Sequence, residues 1–185
     1  MVRPFLACAL GIVLGAGGLF AWQTYSAGHA HQPYAGQDAR AISSLSPADI
    51  AQLERGAGWG LAKPAELNGY PGPLHVLELA DDLALSDEQR QRVQAAFDAM
   101  NAKARELGAA LIEAERSLDE AFRANGIDDA TLAARLREAE RARAALRRVH
   151  LTAHLEVTPL LSDEQKTKYA SLRGYGSGGH HHGGH

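Results

Sequence analysis

The sequence predicts an all-α protein: a long antiparallel helical hairpin with short flanking helices, behind an N-terminal export or anchor segment and ahead of a disordered, His-rich tail. Three observations carry this. Ala, Leu, Arg and Glu dominate residues 86–157 while aromatics are scarce, a composition of long helices rather than sheets. Apolar side chains there recur at alternating steps of four and three, the spacing of a helix that packs along a seam. The pentapeptide Leu-Ser-Asp-Glu-Gln occurs twice, at 85–89 and 161–165, and each copy is a helix start. Ser86 and Ser162 are N-caps, and Gln89 and Gln165, three residues on, complete capping boxes. Asp87, Glu88, Asp163 and Glu164 place negative charge at the positive end of the helix dipole.

Taken in order, the chain opens with Arg3 and an uncharged run from Pro4 to Trp22, which reads as an export signal. Phe5 to Trp22 is long enough to span a bilayer, yet its glycines dilute the hydrophobicity, and Ala27 and Ala30 offer cleavage points. Anchor and cleaved signal both remain open. Either way, Arg3 stays inside and everything after about residue 30 is exported, so the expected location is the periplasm, soluble or anchored in the inner membrane by residues 4–22. Leu6-Ala7-Cys8 hints at lipoprotein processing, but almost no apolar core precedes it. Cys8 is the sole cysteine, so no intramolecular disulfide forms.

Residues 31–71 are expected to be a linker with one short helix, since 23–45 are small and polar. Ser46 caps that helix, Pro47 suits its first position, Asp49 completes a box and Gly56 ends it. The stretch from Gly56 to Pro64 is too glycine-rich for regular structure, and Trp59 and Tyr70 are expected to pack back onto the helical body. Residues 72–173 form the hairpin domain. It begins with a short helix, Leu74 to Leu83, that turns Leu74, Leu77 and Ala80 to one side. The first arm carries Val93, Phe97, Met100, Ala104, Leu107, Leu111, Ala114, Leu118 and Phe122 as its stripe. Asn125-Gly126 ends it, Asp128 or Asp129 caps the second arm, and the short connection makes the arms antiparallel neighbours. The second stripe is Leu132, Leu136, Ala139, Arg143, Leu146, His150, Ala153 and Val157, closed by Pro159. Glu106, Glu113, Glu115, Asp119 and Glu120 are expected to face Arg135, Arg137, Arg141, Arg143, Arg147 and Arg148 across the hairpin, fixing register more than stability. A short helix with Tyr169 and Leu172 comes next, and 174–185 is a Gly/His-rich tail.

A net charge of −3 and the lack of a basic face interleaved with aromatics argue against a nucleic-acid partner. No nucleophile is matched to a base and no phosphate-binding glycine loop occurs, so no enzyme is expected. The chemistry lies in histidine. His180, His181, His182 and His185 offer neutral imidazoles on a flexible backbone, suited to a divalent transition metal, Zn, Cu or Ni. Their glycine-interrupted pattern differs from the unbroken run of a purification tag and reads as native. His150 and His154, spaced i and i+4, project from one side of a helix and suit one ion; His150, on the apolar stripe, also suits a core histidine. A zinc protease would need Glu directly after the first histidine, where Leu151 stands. Asp98, level with His154 in the hairpin register, and His75, three residues before Glu78, complete the candidate ligands.

Two Leu-Ser-Asp-Glu-Gln copies flanking a helical hairpin behind an export signal resemble the LTxxQ motifs of the Spy/CpxP periplasmic proteins and their heavy-metal-resistance relatives. Those relatives include the zinc-resistance-associated protein and the CnrX-type metal sensors. The resemblance covers about residues 72–173, with serine in place of the usual threonine. It implies an all-helical, often dimeric protein that holds unfolded or misfolded envelope proteins, or that senses or buffers metal. The alternative it implies is a membrane-anchored sensor signalling to an inner-membrane partner. The sensors carry a His-x-x-x-His pair before the first motif and a histidine shortly before the second. Here His75 matches the first of the pair, Leu79 occupies the second position, and His154 is offset by one residue. Phe97 stands where the sensors have a glutamate, with Asp98 beside it.

Overall fold

A computed structural model of the chain describes residues 33–175, so the export segment and the histidines of the tail lie outside the described residues. The described residues fall into two compact units that divide between Ala39 and Arg40. The second contains six α-helices: α1 (Pro47–Glu54), α2 (Lys63–Glu66), α3 (Pro73–Glu78), α4 (Asp87–Arg123), α5 (Asp129–Val157) and α6 (Asp163–Leu172). A 3-10 turn, Thr158–Leu160, joins α5 to α6. The arms α4 and α5 pack together as the predicted hairpin, and Asp128 is the residue that caps α5, its carboxylate accepting from the Thr131 N–H at 2.8 Å. Among the described residues no helix is long and apolar enough to cross a membrane.

Both Leu-Ser-Asp-Glu-Gln copies cap as expected, and they do more. The Gln89 and Gln165 carboxamides face each other, Nε2 of each donating to Oε1 of the other at 2.8 and 3.1 Å. Gln89 Nε2 also donates to Leu160 O at 2.8 Å, and Gln165 Nε2 to Leu83 O at 3.2 Å. Each Oε1 meanwhile accepts from its own cap residue's N–H, at 3.0 Å from Ser86 and 2.9 Å from Ser162. A carboxamide has two donors and two acceptor sites, so both side chains are fully used. Glutamate would serve a capping box equally well but has no hydrogen to donate across the pair.

Two hydrophobic clusters line the hairpin. Near the motifs, Val76, Ala80, Leu83, Leu85, Val93, Val157, Leu161 and Tyr169 pack together. Farther along, Ala104, Leu111, Ile112 and Leu146 pack with Ile42, Leu45 and Leu53. α1 reaches its place because Gly108 leaves room for it: a Cβ there would lie 2.4 Å from the Leu53 carbonyl oxygen.

Several expectations are corrected. The linker reading missed Ile42 and Leu45, each 1% exposed, because two isolated apolar residues in a polar stretch form no periodic signal. A turn of helix, α2, forms within the glycine-rich connection, with Pro64 in its first turn. α3 stops at Glu78 rather than Leu83 and buries Val76, not Leu74, which is 44% exposed. Phe122 and Leu136, near the hairpin turn, are exposed. The acidic and basic residues do not mate as two facing rows. The ion pairs of Glu106, Glu113, Asp119 and Arg135 are all made within one helix, to Lys103, Arg116, Arg123 and Glu138. Neighbours at i+3 and i+4 are nearer than anything across a seam that apolar side chains occupy. Arg143 alone of the predicted arginines crosses, reaching Glu115 at 2.7 Å; that buried carboxylate also accepts from Ser44 Oγ at 2.8 Å.

The amide clasp is expected to be stabilising beyond its capping role. Gln89→Glu and Gln165→Glu should each keep the box, lose the crossing donors and cost about 1–3 kcal/mol in urea unfolding. An unchanged unfolding midpoint would show the crossing bonds to be energetically idle.

Candidate metal site

Between the two clusters the apolar stripes are interrupted, and a cavity of about 580 Å³ opens on one side of the hairpin. Phe97 and Met100 of α4 and His150 and His154 of α5 form part of its wall. The loop carrying Trp59, the α2 residue Glu66, and Gly72 to His75 at the start of α3 close around it.

The loop is held by specific contacts rather than by regular structure. Gly56 takes φ +71°, and a Cβ there would meet Asn101 at 2.8 Å, so the chain crosses α4 at contact distance. Asn101 Nδ2 donates to the Arg55 carbonyl at 3.0 Å. Trp59, as expected, packs back: its indole N–H donates to Asp49 Oδ1 at 2.8 Å and Arg143 lies 5.2 Å from its ring centre. Trp59 adopts φ +44°, a strained backbone for a bulky residue, and these two anchors hold it there. Hydrogen bonds from Ser46 and Trp59 hold the Asp49 carboxyl below the usual range, so the anchor stays ionised. Tyr70 is corrected: the residue is 41% exposed, and what it contributes is its carbonyl.

That carbonyl sets the chemistry of His154. His154 Nδ1 lies 2.7 Å from Tyr70 O, which only accepts, so Nδ1 carries the hydrogen and the neutral ring presents its lone pair on Nε2. Glu66 Oε2 lies 3.7 Å from the same Nδ1. A carbonyl or carboxylate on the far nitrogen is what orients a metal-binding histidine and raises its basicity. Glu66 is itself placed by Tyr169 and by Tyr175, whose hydroxyl donates at 3.0 Å. Burial, then the Glu66 carboxylate, push the Tyr169 hydroxyl far above its ordinary value, so it remains a donor.

His150 is 3% exposed and its Nε2 is buried without a hydrogen-bond partner. A buried polar group left so costs about 1–3 kcal/mol. Desolvation, and secondarily the neighbouring His154, hold it below the ordinary imidazole value of 6.5, favouring the neutral form that binds metal.

His75 lines the same cavity, its Nδ1 2.8 Å from Glu78 Oε2, so Nε2 is the nitrogen it can offer to a ligand. Asp98 is not brought there; it is exposed and accepts from Gln94 Nε2 at 2.9 Å. His180, His181, His182 and His185 lie outside the described residues. Among the described residues, no three or more His, Cys, Asp or Glu converge to hold an ion. His75, His150 and His154 line one cavity, and imidazole is the donor type that Zn, Cu or Ni favours. Glu66 and the Tyr70 carbonyl escaped the sequence reading because both act on His154 from more than eighty residues away, with no local pattern to announce them.

The described residues thus form a long helical hairpin with two histidines, one turn apart on α5, in the wall of a cavity. The chain belongs to the heavy-metal resistance family, whose model matches residues 65–168, more than half its length. The match supports the sequence resemblance and runs from α2 into α6. No curated protein and no solved structure matches the chain.

Two outcomes are expected. Gly72→Ala would put a Cβ 2.7 Å from His154 Cε1 and displace the ring; a loss of about 1–3 kcal/mol and a shifted His154 NMR resonance should result. An unshifted resonance would mean the ring does not depend on that close approach. For pH, the unfolded chain takes up a proton at His150 below about 6.5 that the folded chain refuses until lower pH. The contribution His150 makes to the stability of the metal-free chain is therefore fully present above pH 6.5 and is lost as pH falls below it. Urea unfolding at about pH 5.5 and 7.5 should show this, and His150→Leu should flatten the difference.

Proposed function

We propose that this heavy-metal-resistance protein is an exported, non-catalytic member of its family. It takes up a divalent transition-metal ion, Zn, Cu or Ni, on His150 and His154 and on its tail histidines, and holds unfolded envelope proteins on its helical body. The observation that carries the metal limb is His154, with Nδ1 committed to Tyr70 O and Glu66, beside the unpartnered Nε2 of His150. When bound, the ion would be held by His150 and His154, of which His150 is otherwise left with an unsatisfied nitrogen. The client limb is supported by exposed apolar side chains: Leu67 and Leu74 at the cavity edge, 59% and 44% exposed, and Leu155 on α5. A second reading, a membrane-anchored sensor, is favoured by one feature. Glu66 ties His154 to Tyr169 and Tyr175, a route by which occupancy of the histidine would reach the last helix and a membrane partner.

Calorimetric titration of the full chain with Zn, Cu and Ni is expected to show binding at micromolar or lower concentrations. His154→Ala should weaken it by about 10- to 100-fold or more. No heat with any of the three ions would end the metal reading. Suppression of aggregation of an unfolded substrate protein tests the client limb, and failure there with clear metal binding favours the sensor.

A further inference from the structure

Phe97 and Met100 sit on the apolar stripe of α4, yet neither belongs to the two hydrophobic clusters. Both are half-buried and line the cavity instead. Leu67, at the end of α2, and Leu74 of α3 line it too, 59% and 44% exposed, and Trp59 adds its indole. At about 580 Å³ the space falls within the roughly 300–1,000 Å³ of sites that enclose a small molecule, far more than a single ion occupies. Apolar side chains that packing leaves wet here would gain by covering.

The charge around this space is one-sided. Glu66 is the one carboxylate among the described residues of the wall, and it is already engaged by the hydroxyls of Tyr169 and Tyr175, with Arg173 Nε 3.6 Å away. The neutral form that burial favours at His150 adds no charge. Arg55 and Lys63 are different. The Arg55 guanidinium donates to the Ala51 carbonyl at 3.3 Å, and neither cation pairs with a carboxylate among the described residues. Trp59, Gly60 and Lys63 also line a second hollow of about 420 Å³, which Arg143 and Arg147 share and to which no acidic residue contributes among the described residues. Arg143 is occupied by Glu115 at 2.7 Å, whereas Arg147 has no such partner among the described residues. An apolar cavity thus adjoins a basic hollow, with Lys63 common to both.

These two environments complement one kind of molecule. A neutral hydrocarbon would leave Lys63 without a counter-charge, and a small inorganic anion would leave Phe97 and Met100 wet. We propose that the cavity binds a single-chain amphipathic anion, a fatty carboxylate in class, with its chain against Phe97, Met100 and Leu74 and its head on Lys63. The site goes beyond the metal reading and does not rest on it, since no histidine is needed as a ligand.

The test is calorimetric titration of the full chain with laurate below its micellar concentration, in a chelator so that no metal contributes. One equivalent bound at micromolar concentration is expected. Dodecanol, which keeps the chain without the charge, and dodecyltrimethylammonium, which reverses the charge, should each bind about tenfold more weakly or worse. Lys63→Glu should weaken laurate by about tenfold and leave dodecanol unchanged, while Lys168→Glu, the same change at an exposed site on α6, should alter neither. Leu74→Trp, at a position already 44% exposed, and Met100→Trp, which fills the space from α4, should each weaken both ligands, with circular dichroism checking that the helices persist. No laurate binding by the metal-free chain would overturn the proposal whatever the Zn titration shows, so its failure is separate from that of the metal reading. Equal affinity for laurate and dodecanol, or equal losses from Lys63→Glu and Lys168→Glu, would overturn the anion as its ligand. Laurate binding untouched by both tryptophan variants would place it outside the cavity and overturn the site.

Discussion

The open end of the hairpin is closed by two carboxamides. Gln89 and Gln165 each cap their own helix with an oxygen and cross to the other's approach segment with a nitrogen. The pair fixes where α4 begins relative to where α6 begins, although the two glutamines are 76 residues apart. Everything nearer the turn inherits that register: Val93 meets Val157 in one cluster, Ala104 and Leu146 share the next, and the gap between clusters falls at His150 and His154. Because each amide is saturated, a slip of one turn would break the crossing bonds and leave half-buried polar atoms without partners.

The gap is not a packing failure. α5 keeps its stripe through this level but fills two positions with imidazole, and the opposite wall comes from a loop held by Trp59, Asn101 and Gly56 rather than by another helix. The helical arms supply rigidity and the loop supplies closeness. Gly72 shows how tight the fit is, since no side chain fits between α3 and the His154 ring. Glu66, fixed by the hydroxyls of Tyr169 and Tyr175, also lies 3.7 Å from His154 Nδ1.

Much of the architecture was legible in the sequence, because helix caps and apolar periodicity are local signals. The two capping boxes, the long arms, their turn and the helix after the second motif all derive from residues within four positions of one another. The same locality explains the misses. Ile42 and Leu45 are buried by α4 and α5, not by their own neighbours, and the choice of Val76 over Leu74 was made by the surface α3 lands on. Charge complementarity across the hairpin was inferred from register alone, and local pairs within each helix took the partners first.

For the candidate site the division is sharper. Sequence alone determined that His150 and His154 share a helix face, since a spacing of four leaves no other arrangement on an α-helix. It also determined that the repeated pentapeptides start helices. It did not determine which ring nitrogen His154 presents, that Gln89 and Gln165 would bind each other, or that Tyr175 would bring the chain back to the histidines. Those were decided by tertiary structure, because each depends on a group far away in the chain whose position exists only once the hairpin has closed.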